Sequence, residues 1–183
     1  MKTILSLLFI ILVFSGCYRQ VTAEKPIVPV DIKVMALDEP APSQDEADIV
    51  IITHIKKASY LLNPRTAETP YTFIIVVDGK EFKEEVKGAE EIISDIDTEK
   101  GKGVHYSLKK RIRIKPGTYE IRLKPEKGAL AKIKAEFTGG RVYTLRFEPI
   151  YSSLRMKAGF KKSFFHGVID YGVYLDENKI SGK

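Results

Sequence analysis

The chain has 183 residues, 44% of them hydrophobic and including nine Phe and nine Tyr, so it can bury one ordinary core and is not a globally disordered chain. Its formal net charge is +6, and one cysteine with three histidines excludes a disulfide framework and a cysteine-based zinc site. No phosphate-loop, dinucleotide-binding, zinc-protease or serine-hydrolase motif occurs, so the sequence points to no enzyme and no cofactor.

The chain opens on a positive Lys2 and an apolar run over residues 4–14, broken only by Ser6 and followed by Ser15, Gly16 and Cys17. A spanning helix needs about 20 apolar residues, so this run is too short to cross a membrane. A charged start, a short apolar run and small residues describe a secretory signal. The segment Val13-Phe14-Ser15-Gly16-Cys17 resembles the lipobox of bacterial lipoproteins, with Phe14 where Leu is usual. That resemblance implies a signal peptide over residues 1–16 and cleavage before Cys17, which then carries a diacylglycerol thioether and an amide-linked acyl chain such as palmitate. Two or three such chains, at about 0.8 kcal/mol per buried CH₂, anchor a protein firmly. Tyr18, standing where an inner-membrane lipoprotein has Asp, implies the periplasmic face of the outer membrane in a diderm host.

Residues 17–47 contain Pro26, Pro29, Pro40 and Pro42 and an acidic stretch over 38–48. They read as a semi-extended tether, with a short strand possible over 30–36. From residue 48 the hydrophobic period becomes two. Strands are predicted over 49–55, 71–77, 106–114, 118–123, 130–137, 142–150, 167–175 and 179–180, between turn signals at Asp78-Gly79, Pro116-Gly117, Gly139-Gly140 and Asp176-Glu177-Asn178. Residues 89–96 are the single helix candidate, and 97–103 read as a mobile loop. The expected fold is all-β: an antiparallel β-sandwich of about seven to eight strands over residues 48–183. Alternation places Tyr119, Ile121, Leu123, Ala131, Ile133, Ala135, Phe137, Tyr143, Leu145 and Phe147 inward, on three successive strands read as a meander.

The runs Ile75-Val76-Val77-Asp78-Gly79-Lys80 and Ile112-Arg113-Ile114-Lys115-Pro116-Gly117-Thr118-Tyr119, then Gly139-Gly140 before an apolar strand, resemble the PEGA-type domain. They are similar also to related small β-sandwiches of bacterial lipoproteins. The resemblance spans residues 71–151 and implies a sandwich, extracytoplasmic placement and no catalytic residues. A fainter echo links Val76-Val77-Asp78-Gly79-Lys80 with Tyr174-Leu175-Asp176-Glu177-Asn178-Lys179, as two hairpins with one turn chemistry.

Charge is divided along the chain. Residues 17–101 carry 10 basic and 17 acidic side chains, whereas residues 102–183 carry 19 basic and 7 acidic ones. Lys109, Arg111, Arg113, Arg122, Lys124, Lys132, Lys134 and Arg146 fall on outward strand positions and form the candidate anion-binding face, with Lys157, Lys161 and Lys162 nearby. Lipopolysaccharide phosphates, phospholipid headgroups or an acidic protein would suit it; nucleic acid is not expected, since no recognition motif is present. The competing reading is a solvated face with Glu120, Glu136 and Glu148 in cross-strand pairs. His54, His105 and His166 share no spacing suited to a metal. Ser163, His166 and Asp170 lack the context of a catalytic triad, and Glu84, Glu85, Glu90, Glu91, Asp95 and Asp97 lack calcium-loop spacing. The expectation is therefore a membrane-anchored structural or binding module. The alternative is a lipid or small-molecule carrier with a mouth lined by Phe160, Phe164, Phe165, Tyr171 and Tyr174.

Overall fold

The structure is a computed structural model that describes residues 31–58, 69–125, 129–156 and 159–180. The expected signal peptide, Cys17, residues 17–30 of the expected tether and Lys157 lie outside the described residues. In chain order the strands are β1 (Lys33–Met35), β2 (Ala47–Ala58), β3 (Tyr71–Val77), β4 (Lys80–Val86), β5 (Ala89–Glu91), β6 (Gly103–Ile114), β7 (Gly117–Pro125), β8 (Ala131–Phe137), β9 (Val142–Tyr151), β10 (Ser153–Met156), β11 (Gly159–Lys162), β12 (Val168–Leu175) and β13 (Asn178–Ile180). Two 3₁₀ turns, Asp97–Glu99 and Phe164–His166, complete the described elements.

One sheet runs β1-β6-β2-β9-β12-β13, with β5 also paired to β6; the second runs β4-β3-β7-β8, and β10 pairs with β11 alone. The protein is thus all-β and sandwich-like. Inward residues of both sheets share one core, including Ile49, Ile51, Ile112 and Leu145 from the first sheet and Phe73, Ile75, Ile121 and Leu123 from the second. The parity read from alternation holds on β7, β8 and β9: Tyr119, Ile121, Leu123, Ala131, Ile133, Phe137, Tyr143, Leu145 and Phe147 are buried, and Ala135 is partly so. At the rim, Lys110 of β6 and Glu84 of β4 also point between the sheets and pair at 2.6 Å.

The described residues form more strands than the seven to eight expected, and the pairing is mixed. Strands β2 and β9 lie side by side in parallel, with Ile49 beside Tyr143 and Thr53 beside Phe147. Parallel neighbours need a long crossover, and here the chain between them builds the second sheet on the way. The expected meander is therefore broken after β8. The reason lies at Gly139-Gly140, which sits against residues 43–46. A Cβ on Gly139 would lie 1.7 Å from the Gln44 carbonyl oxygen, and Gly140, at φ 74°, donates its N–H towards the Ser43 and Glu46 carbonyls. Only glycine fits there, and the turn carries the chain into the first sheet.

The helix expected over 89–96 does not form. Gly88 packs where a Cβ would meet Val104 Cγ1 at 2.2 Å, which keeps the following β5 extended against β6, with Ala89 opposite His105. Strand β4 was missed because its sequence, KEFKEEV, is mostly charged. It forms because Asp78 (φ 43°) and Gly79 (φ 88°) make the tight turn that returns the chain beside β3, while Phe82 and Val86 pack against the core.

The two echoed hairpins share one device. Asp78 donates its N–H to the Glu120 carbonyl and accepts the Glu120 N–H on its side chain; Asp176 makes the same two bonds with Thr144. Each aspartate welds its hairpin to a neighbouring strand. The expected tether also ends early. Ile32 is buried, and β1 pairs with β6 from Lys33 opposite Arg113 to Met35 opposite Arg111.

Phe147 is fully buried, whereas Arg146, one residue away, lies half exposed beside Glu148 and the Tyr174 ring. Phe147→Ala should cost about 3–5 kcal/mol, and Arg146→Ala about 0.5 kcal/mol or less. Urea titrations of both variants check this; equal losses would contradict the parity.

Candidate functional site

Strand β2 is buried along its inner face and near both ends of its outer face. Its inner face carries Ile49, Ile51, Thr53 and Ile55, and its outer face carries the buried charges Asp48 near one end and Lys56 near the other. A buried charge is stable only when paired and hydrogen-bonded, so each end recruits partners.

At the first end, Arg111 and Arg113 of β6 enclose Asp48. Arg111 donates from Nε to Asp48 Oδ2 at 2.8 Å and from Nη2 to the same oxygen; Arg113 donates from Nε to Oδ1 at 2.7 Å. The guanidinium of Arg111 also reaches the carbonyls of Leu37 (3.2 Å), Glu39 (2.6 Å) and Pro40 (2.9 Å), and Arg113 donates to Pro40 at 2.8 Å. Residues 37–40 are thereby strapped over the outer face of the sheet. Burial would push the Asp48 carboxyl up, but the hydrogen bonds of Arg113 and Arg111 more than reverse this and hold it below the usual range.

At the second end, the turn Asp97–Glu99 folds over β2 and β6. The Lys56 ammonium donates to the Glu99 carbonyl at 2.8 Å, pairs with Glu91 at 2.8 Å and lies 5.1 Å from the centre of the Phe164 ring. The stretch expected to be a mobile loop is thus pinned by a buried lysine. Glu99 is 1% exposed. Its Oε1 lies 3.1 Å from His54 Nε2 and accepts the Tyr151 hydroxyl at 2.7 Å, while Tyr151 accepts the Lys56 N–H at 2.9 Å. Glu99 Oε2 is buried with no hydrogen-bond partner. His105 stands beside His54, with ring centres 5.2 Å apart, and its Nδ1 lies 3.3 Å from Ser107 Oγ. Burial would raise the Glu99 carboxyl, but the His54 and Tyr151 hydrogen bonds hold it below its ordinary value. Burial first, and His54 second, push the His105 imidazole down. Burial, reinforced by the bond to Glu99, pushes the Tyr151 hydroxyl up.

The residues of the candidate anion-binding face do not share one face. Lys109, Arg111, Arg113 and Arg146 lie outward on the first sheet; Arg122, Lys124, Lys132 and Lys134 lie outward on the second, on the other side of the sandwich. Arg111 is buried as a structural partner of Asp48, so it is not free to meet a ligand. The β7–β8 quartet stays together, with Arg122 opposite Lys132 and Glu120 opposite Lys134. Lys161 and Lys162 are exposed on β11.

The remaining expectations separate in the same way. Ser163 caps the turn Phe164–His166, and Asp170 accepts the Tyr171 N–H, so neither is turned to His166. Of the acidic set, Glu84, Glu91 and Asp97 are each paired with a lysine. Of the aromatic carrier set, Phe164, Phe165, Tyr171 and Tyr174 do not line one mouth: Tyr171 belongs to the core between the sheets, Phe164 packs on Phe165 near Lys56, and Tyr174 lies over Arg146. Nothing in the sequence singles out Glu99, and the spacing of His54 and His105 does not bring them together.

Comparison with family models, with curated proteins and with solved structures found no match to this chain.

Asp48 is the more acidic in the folded state, so its pairing stabilises the protein fully above the ordinary carboxylate range and is lost as pH falls through the lowered folded value. Stability should drop as pH falls below about 4, and Asp48→Asn should flatten that limb of the curve. Arg111→Ser should cost about 3–5 kcal/mol, because it leaves Asp48 with a broken buried network. Lys132→Ser, at the surface, should cost about 0.5 kcal/mol or less. Denaturant titrations over a pH series measure all three.

Proposed function

We propose that this chain is a lipid-anchored protein of the bacterial cell envelope, held through Cys17, whose sandwich is a binding module rather than an enzyme. The observation that carries this reading is the position of the only cysteine, directly after an eleven-residue apolar run and two small residues. The PEGA-like runs in β3, β6 and β7 agree with an extracytoplasmic module, and the outer membrane is the site that Tyr18 favours in a diderm host.

The fold sharpens what such an anchor would do. Because residues 32–35 already lie on the sandwich, only residues 18–31 separate Cys17 from it. At about 3.3–3.6 Å per residue that span is at most about 50 Å, so the module is held close to the membrane. The anchored chain joins next to Arg113 and Asp48, whereas His54 lies six residues further along β2, about 20 Å away.

The surface best suited to an anionic envelope partner is the β7–β8 quartet of Arg122, Lys124, Lys132 and Lys134. Arg122 and Lys132 are like charges directly opposite each other, an arrangement that costs stability, with Glu120 shared between them. No side chain of the quartet is needed by the core.

Cys17→Ser should release the protein from membranes or leave the precursor uncleaved, as read by fractionation and mobility. Membrane association that is unchanged and still needs detergent would end the anchor reading. Replacing Arg122, Lys132 and Lys134 by Ser should leave Tm nearly unchanged and abolish binding to vesicles containing anionic phospholipid. Wild-type binding should weaken steeply with salt, since exposed charges are screened over about 8–10 Å. Indifference of the wild type to anionic vesicles at low salt would return the quartet to a solvated face.

A further inference from the structure

The cluster beneath the 97–99 turn contains a donor set that neither the anchor nor the basic quartet uses. His54 comes from β2, His105 from β6 and Glu99 from the turn, and one ligand atom from each lies within 4.8 Å of the others. We propose that His54, Glu99 and His105 form a binding site for a single divalent transition ion of the zinc class.

The donor chemistry defines the ion. Two imidazole nitrogens and one carboxylate oxygen suit zinc, whereas calcium and magnesium take oxygen ligands almost exclusively. Around zinc, with bonds of about 2.0–2.2 Å, tetrahedral ligand atoms stand about 3.3 Å apart. His54 Nε2 and Glu99 Oε1 are already 3.1 Å apart. All three ligand atoms lie within 4.8 Å of one another, so binding the ion requires the set to contract toward the tetrahedral spacing. For Nε2 to coordinate, His54 carries its ring proton on Nδ1, and the ion takes the place now held by a hydrogen bond.

Charge and hydrogen bonding point the same way. Glu99 is almost fully buried, yet its Oε2 has no partner. A buried oxygen of this kind is normally satisfied. Lys56 does not serve it, since its ammonium is paired with Glu91 and donates to the Glu99 backbone carbonyl. Among the described residues no lysine or arginine nitrogen is within ion-pair distance of the Glu99 carboxylate, so a buried negative charge faces two imidazoles. A cation between them would offset it.

The surroundings have the form that metal ligands need. Tyr151 donates to Glu99 Oε1 and is itself fixed by the Lys56 N–H; Lys56 holds the turn that carries Glu99; Ser107 Oγ lies against His105 Nδ1, leaving Nε2 as the second ring nitrogen. Such outer contacts orient ligands and tune their affinity. The His54 side chain is 24% exposed, which leaves a path for the ion and a position for water or an exogenous ligand. The site goes beyond the anchored-module reading and does not depend on lipidation at Cys17.

The test uses the full chain, purified in detergent, stripped with a chelator and titrated with Zn²⁺ by calorimetry. The expected result is one ion per chain, a raised Tm, and no comparable binding of Ca²⁺ or Mg²⁺. His105→Ala should weaken Zn²⁺ binding at least tenfold, whereas His166→Ala should leave it unchanged. Glu99→Gln should weaken it similarly, provided that its metal-free circular dichroism matches the wild type. Co²⁺ bound to the wild-type chain should give the intense visible bands of a four-coordinate site, a readout that a purely structural role for these residues would not produce. Zn²⁺ binding that is absent, or that is equal in wild type and a folded His105→Ala variant, overturns the proposal. A Co²⁺ spectrum no different from that of the aqueous ion overturns it even if the variants fail to fold.

Discussion

A charge taken out of water on a sheet face has to be met there, and strand β2 carries two of them. Asp48 and Lys56 are both fully buried on its outer face, while its inner face is packed into the core between the sheets. Leaving either unpaired would cost several kcal/mol, a large share of the total stability of a domain this size. Each charge has therefore drawn a second layer over the first sheet. Asp48 takes two arginines, whose spare donors hold the strap at 37–40. Lys56 takes Glu91 and the Glu99 carbonyl, and so folds the 97–99 turn down onto the strand. Without those two pairings the outer face would be an open sheet.

The two ends differ in how completely they are satisfied. At the Asp48 end both carboxylate oxygens accept bonds from guanidinium donors, and the network is closed. Such a cluster fixes the entry of the chain onto the sandwich, because it resists being pulled from the sheet. At the Lys56 end the lysine is matched but the acid brought in beside it is not, since Glu99 Oε2 has no hydrogen-bond partner while Oε1 lies 3.1 Å from His54 Nε2. An unpartnered polar atom inside a low-dielectric site is costly, which is the cost that the proposed ion would offset. The glycine at 103 permits this crowding. A Cβ there would meet the Lys57 carbonyl oxygen at 2.7 Å and the Phe164 ring at 2.9 Å, so that β6, the lysine and the aromatic turn could not approach together.

Much of the sandwich was legible from alternation alone. The inward residues of β7, β8 and β9 could be read by parity, and the hairpins at Asp78-Gly79 and Asp176-Glu177 by turn chemistry. Strand β4 was not legible, because an edge strand that buries only Phe82 and Val86 needs few apolar residues. The helix expected over 89–96 failed for a similar reason: its Ile92 and Ile93 are exposed rather than part of a buried stripe, and residues 89–91 pair with β6 instead. The candidate anion-binding face was wrong as a single surface because outward parity says nothing about which sheet a strand joins.

What the sequence determined by itself was the all-β class, the side of each main strand that faces the core, and the unusual placement of the one cysteine. These depend on local period and local chemistry, which a linear chain records directly. The tertiary structure alone decided that β9 lies parallel to β2 rather than beside β8, that Arg111 is a buried partner and not a surface charge, and that His54, Glu99 and His105 meet. His54 and Glu99 are 45 residues apart in the chain. Their meeting depends on β6 pairing with β2 and on Lys56 drawing the 97–99 turn inward, and neither leaves a periodic trace in the sequence.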